Sequence, residues 1–167
     1  MKNVIYALMF ALLFTACSSD KSSTAKVEPK LVLNTSLSDL KLNDQFEKSH
    51  SINSDTKKLI FAFSKDMAHT CNDYFATKDD NYLHNNQTQF VADVSSAPSL
   101  IRSMFIMPGL KDFKHTVLLL DSKETAAPFK ANQDTEKIIV VYLDNLTITS
   151  IKTISTEAEL ISTIENS

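Results

Sequence analysis

The pattern of apolar runs and polar breaks predicts an α/β fold, with a mixed β-sheet covered by helices in the order β-α-β-α-β-β-β-α. Three observations carry that expectation. Continuous apolar runs, of which Leu59-Ile60-Phe61-Ala62-Phe63 is the clearest, mark strands buried on both faces. Segments with helical spacing separate the first three runs, so right-handed crossovers are expected between them. The last two runs are separated only by the turn Asp144-Asn145-Leu146, which makes that pair antiparallel.

The first strand, Leu59–Phe63, follows a charged pair. Polar Ser64-Lys65-Asp66 leads from it to a helix expected from about Ala68 to Asp79. Residues 89–94 (QFVADV) read as the second strand. Ser96-Ala97-Pro98 opens the second helix, with proline near the first turn, where a missing N–H costs nothing. Leu100, Ile101, Met104 and Phe105 are spaced for one apolar face of it, and Pro108-Gly109 is expected to end it. Met104 to Met107 form an apolar cluster assigned to the core, part of which could instead be an exposed patch for a partner. Residues 116–120 (TVLLL) make the third strand, and residues 123–136, around Pro128, read as a long polar loop. Residues 138–143 (IIVVYL) and the alternating segment from Thr147 to Ile154 supply the fourth and fifth strands. Ser155-Thr156-Glu157-Ala158 resembles a helix start, with Glu157 one place early for a strict capping box. Leu160, Ile161 and Ile164 then form an apolar face for the last helix.

Composition excludes several functions. The only glycine is Gly109, where an average chain of this size carries roughly a dozen. Loops that cradle phosphates need several, so a P-loop and a dinucleotide fingerprint are ruled out, and no nucleotide is expected. A net charge of −3 provides no basic footprint for nucleic acid.

The N-terminus reads as an address. Met1 to Cys17 (MKNVIYALMFALLFTAC) places Lys2 before an apolar run from Val4 to Phe14, followed by small residues and cysteine. That run is short for a membrane span, which needs about 20 apolar residues. Phe14-Thr15-Ala16-Cys17 resembles a bacterial lipobox, with Phe14 where Leu is usual. The resemblance implies a signal peptide over 1–17, diacylation of Cys17 and anchoring to the lipid bilayer of the cell envelope, with the domain in the periplasm. Ser18 after the cysteine, in place of Asp, resembles the outer-membrane sorting pattern of some bacteria. Residues 18–37, rich in Ser, Thr and Lys near their start, are expected to be a flexible tether, and residues 38–167 the folded domain.

Within that domain, Leu42-Asn43-Asp44-Gln45-Phe46-Glu47-Lys48 resembles the "L-x-D-Q-x-G-K" hairpin that precedes the first core strand in peroxiredoxins and membrane-anchored thioredoxin-like proteins, with Glu47 replacing glycine. The element order matches as well, so the chain resembles the thioredoxin-like family over about residues 38–167. That implies an N-terminal β-hairpin, and an active site at the first turn of the helix after Leu59–Phe63. Members place C-x-x-C there, where the helix N-terminus stabilises the thiolate.

Here the candidate segment is Ala68-His69-Thr70-Cys71, so Ala68 falls at the nucleophile position and only Cys71 remains. The family's cis-proline, just before the third strand, is expected to be replaced by His115. The Pro-x-x-x-Thr-x-x-Cys pattern of peroxiredoxins is missing too. Dithiol exchange is therefore not expected. Cys71 has two readings: a small buried hydrophobe, or a monothiol nucleophile activated by the helix N-terminus with His69 or His115. Asp66, His69, Cys71 and Asp73 do not have the spacing of a closed metal site, so neither metal nor cofactor is expected. His50 and His84 lie in polar stretches and carry no signal of their own. The function expected is a lipid-anchored, redox-inactive binding or scaffold module with an envelope protein partner, against a monothiol oxidoreductase or peroxidase-like enzyme using Cys71.

Overall fold

The computed structural model describes residues 27–166. The expected signal segment, Cys17 and residues 18–26 of the expected tether lie outside the described residues. Seven strands form one mixed sheet in the order β2-β1-β5-β4-β3-β6-β7. They are β1 (Lys41–Asp44), β2 (Ser49–Ser51), β3 (Lys58–Ala62), β4 (Thr88–Asp93), β5 (Val117–Leu120), β6 (Ile138–Asp144) and β7 (Thr147–Ile154). β3, β4 and β5 are parallel, whereas β6 runs antiparallel to β3 and β7 antiparallel to β6. The first two crossovers are α1 (Lys65–Ala76) with α2 (Tyr82–Asn85), and a helical stretch from α3 (Ser99–Ile101) to α4 (Met107–Lys111). α5 (Lys123–Lys130) and α6 (Glu157–Glu165) complete the chain.

Strand alternation builds two cores. Leu59 and Phe61 of β3, with Ile139 and Val141 of β6, face one side, where Leu31, Leu37, Ala126 and Phe129 cover them. Ile60 and Ala62, with Ile138 and Val140, face the other, beneath Cys71, Phe75, Leu110 and Leu160. This is why the runs are continuously apolar: both faces of the central strands are covered.

Several elements differ from expectation, each for a local reason. Ser64 caps α1, its Oγ accepting from the Met67 N–H, so that helix begins three residues early and ends at Ala76. The second crossover continues through Pro108-Gly109 as α4. A π turn over Arg102–Ile106, closed by the Met107 N–H donating to the Arg102 carbonyl, precedes Pro108, whose missing N–H does not fit a continuous α-helical ladder. The polar loop after β5 is in fact α5, capped by Ser122 Oγ on the Thr125 N–H at 3.1 Å. Its proline and polar composition conceal it. Thr156, not Ser155, caps α6, which puts Glu159 in register and completes a capping box.

The tether ends earlier than expected. The Lys30, Asn34 and Leu37 N–H groups donate to the carbonyls of Pro128, Ile148 and Leu146, each at 2.8 Å, and Leu31 and Leu37 are buried. Residues 30–37 therefore belong to the fold.

The β1–β2 hairpin forms as expected, with Leu42 paired to His50. Asp44 Oδ1 accepts the N–H groups of Phe46 at 2.8 Å and Lys48 at 2.9 Å. Glu47, the residue standing in for glycine, has φ 64°. The turn keeps the left-handed geometry that glycine adopts freely and glutamate adopts at a cost.

Candidate functional site

The site in question is the region around α1. Its first turn holds Lys65, Asp66, Met67 and Ala68, so no thiol occupies the helix N-terminus. Cys71 lies at the end of the second turn and is wholly buried among Ile60, Phe75 and Phe90. Burial pushes its thiol well above the ordinary range, because a thiolate there would be desolvated. His69 is exposed, as are Asp66 and Asp73. The helix thus separates the four side chains weighed as ligands or catalysts: three face solvent and Cys71 faces the core.

His115 meets α1 elsewhere than expected. β5 is parallel to β3, so the residues entering it lie at the end of the sheet opposite the first turn of α1. A residue facing that turn has to precede a strand starting at that end. β6 does so, with Ile138 paired to Ala62, and Glu136-Lys137 precede it. The expected equivalence of His115 with the cis-proline is therefore corrected: neither position holds proline, and among the described residues no peptide bond is cis.

His115 instead packs under the C-terminal half of α1. Its Nε2 lies 2.9 Å from Asn72 Oδ1, an acceptor, so Nε2 carries the proton and Nδ1 is left as an acceptor. Nδ1 is buried and has no hydrogen-bond partner. The rings of Phe75 and Phe113 lie 5.5 and 5.0 Å from the imidazole. Desolvation lowers its pKa from 6.5 to about 4, so the ring is neutral at pH 7. Gln45 closes the arrangement: its Nε2 donates to the His115 carbonyl and its Oε1 accepts from the Val117 N–H, both at 2.9 Å. This network ties hairpin, β5 and α1 together. Composition and spacing gave no sign of Asn72, while Gln45 stands inside the Leu42–Lys48 hairpin motif.

A second polar group lies nearby. Asp44 Oδ2 holds His50 Nε2 at 2.7 Å, and the hydrogen bonds on this buried carboxylate lower its pKa against the opposing effect of burial. His50 lines a cleft of about 220 Å³ together with Asp55, Asp80, His84, Gln89 and Thr116. Its polar rim can hydrogen-bond a small polar molecule. Among the described residues, the Asp44 carboxylate is the side-chain hydrogen-bond partner of the His50 ring.

No protein-family model matches the chain, and no curated protein matches it in sequence. Solved structures match it in shape. The thioredoxin domain of a thiol-disulfide oxidoreductase from Bacteroides vulgatus superposes with a TM-score of 0.52 at 14% identity, covering 81% of this chain and 97% of that one. The fold is thioredoxin-like. A hypothetical protein from Sinorhizobium meliloti 1021 matches similarly, with a TM-score of 0.53 at 15% identity over 81% of this chain and 83% of that one. In this thioredoxin-like sheet β3 is an interior strand between β4 and β6 and α1 follows it, so the first turn of α1 is the position at which the family resemblance implied a catalytic thiol.

Proposed function

We propose that this chain is a lipid-anchored, thioredoxin-like module of the bacterial envelope that binds a protein partner and does not exchange disulfides. The observation carrying the reading is the first turn of α1, which is Lys65-Asp66-Met67-Ala68 with a serine cap. A helix N-terminus lowers a thiol pKa only within its first turn. Cys71, beyond that turn and buried, is the only cysteine among the described residues. The anchor reading rests on Phe14-Thr15-Ala16-Cys17. No described helix is long and apolar enough to cross a membrane, so the lipid on Cys17 would hold the domain at the bilayer.

The test is turnover. Full-length protein isolated from membranes is assayed for reduction of insulin disulfides by dithiothreitol, beside the Cys71→Ala variant. The uncatalysed rate is expected for both. A catalysed rate that disappears in the variant would establish the monothiol enzyme in its place. Cys17→Ser is expected to move the protein from the membrane fraction to the soluble periplasm.

A further inference from the structure

The π turn and the helix before it carry an apolar patch that the fold does not cover. Leu100, Met104 and Phe105 are 64%, 58% and 65% exposed, and Ile101 is 43% exposed. The expected single apolar face is split. Ile106, Met107 and Leu110 pack on the core beneath α4, while the four residues before them face solvent. The wider π turn shifts the phase of the helix between the two groups. Large exposed side chains in contiguous array mark an interaction surface.

Two features select the occupant. The first is where the described chain begins. Val27 lines a groove with Ser95, Ser96, Lys123 and Ala127, and Ser96 lies just before the cap of α3. The described chain thus begins at the patch's own end of the domain. Nine residues lie between Cys17 and Val27, ten Cα steps with a reach of at most about 36 Å. The second is charge. Residues 94–111 hold no Asp or Glu and include Arg102 and Lys111 in a chain whose net charge is −3, and Lys123 is exposed beside the same groove. Apolar side chains on a segment that itself carries two cations and no acid, bounded by Asp93 and Asp112, fit the interface of an anionic bilayer.

Resting on the anchored reading above, we infer that the Leu100–Phe105 patch inserts into the surface of the bilayer that holds Cys17. It makes a second point of membrane contact and fixes the orientation of the domain. The Phe46 turn then faces away. It follows β1, which runs antiparallel to β5, and Gln45 meets His115 at the opposite end of the sheet from Ser96.

The chain has no tryptophan, so one can be introduced as the only indole. Full-length lipidated F105W and F46W are each reconstituted into vesicles of equal parts phosphatidylcholine and phosphatidylglycerol, with and without brominated acyl chains. Flotation first reports whether the lipidated chain is anchored at all. F105W is expected to be blue-shifted and to lose roughly half its emission to the brominated chains, the effect of burial at the headgroup–acyl boundary. F46W is expected to lose almost none. Equal quenching of the two in floated vesicles overturns the inference while leaving the anchor intact. Failure to float overturns both readings. A blue shift of F105W that depends on protein concentration and ignores bromination assigns the patch to a second copy of the chain and also overturns it.

Discussion

Under the C-terminal half of α1, Asn72, His115 and Gln45 place polar groups in the core, whereas on the π turn Leu100, Met104 and Phe105 hold large apolar side chains in solvent. The buried polar groups are matched almost atom for atom by hydrogen bonds, with His115 Nδ1 as the exception. The exposed apolar groups have no such compensation within the fold. Burial of polarity can be repaid inside one chain, but exposed hydrophobicity is repaid only by something outside it. The first region should therefore govern stability and the second association, and each substitution below separates the two.

Gln45→Ala has the largest expected effect. It leaves the His115 carbonyl and the Val117 N–H buried without partners, at roughly 1–3 kcal/mol each, and so costs about 2–6 kcal/mol in urea unfolding. A loss below about 1 kcal/mol would mean that the network does not hold the hairpin to the sheet.

His115 comes next. Its pKa of about 4 in the folded chain lies below the ordinary 6.5. Between those values the unfolded chain binds more protons, so stability rises with pH across this window. The contribution is complete above about pH 6.5 and is lost as pH falls toward 4, amounting to roughly 3 kcal/mol. Asp44, Glu159 and Glu165, whose pKa values are lowered, add to acid lability only as pH falls through the carboxylate range. Unfolding at pH 7 and pH 4.5 should therefore show a large loss for the native chain and a much smaller one for His115→Gln. Equal losses would remove His115 from the account.

Much of the fold was legible because the strands are buried on both faces, and Leu59–Phe63 and Ile138–Leu143 announce that without ambiguity. The hairpin was legible from Asp44-Gln45, whose side chains build the turn and its clasp on β5. What escaped was decided by single hydrogen bonds or by direction. Ser64 moved the start of α1 by three residues, and with it every position judged against the first turn. His115 was matched to the wrong strand: the expected crossovers already make β5 parallel to β3, so the position facing the first turn of α1 precedes antiparallel β6 and not β5. The π turn took Leu100 to Phe105 off the core face, although their spacing is that of an ordinary amphipathic helix.

Cys71 tests the polar side of the comparison from within the core. Cys71→Ala removes one buried heavy atom and is expected to cost about 1 kcal/mol. Cys71→Ser keeps the volume closer but adds a hydroxyl among Ile60, Phe75 and Phe90, which have no polar atom on their side chains to receive it. The serine variant should be less stable than the alanine variant by roughly 1–3 kcal/mol. The reverse order in thermal unfolding would show that a serine hydroxyl finds an acceptor at this position, the Met67 carbonyl one turn back or the unpartnered His115 Nδ1 beside Phe75.

The smallest change in stability is expected where the side chains are largest. Replacing Leu100, Met104 and Phe105 together by serine removes apolar surface that water already contacts, so each substitution should stay within about 0.5 kcal/mol. Association should respond in the opposite sense. In anionic vesicles the triple variant, still anchored through Cys17, is expected to expose residues 94–111 to protease far faster than the native chain, with unchanged unfolding in urea. If the triple variant instead unfolds several kcal/mol more easily, the patch packs against the fold itself and the contrast between the two regions is lost. If neither stability nor protection changes, the patch is exposed without a lipid partner, and its apolar side chains serve some contact other than the bilayer.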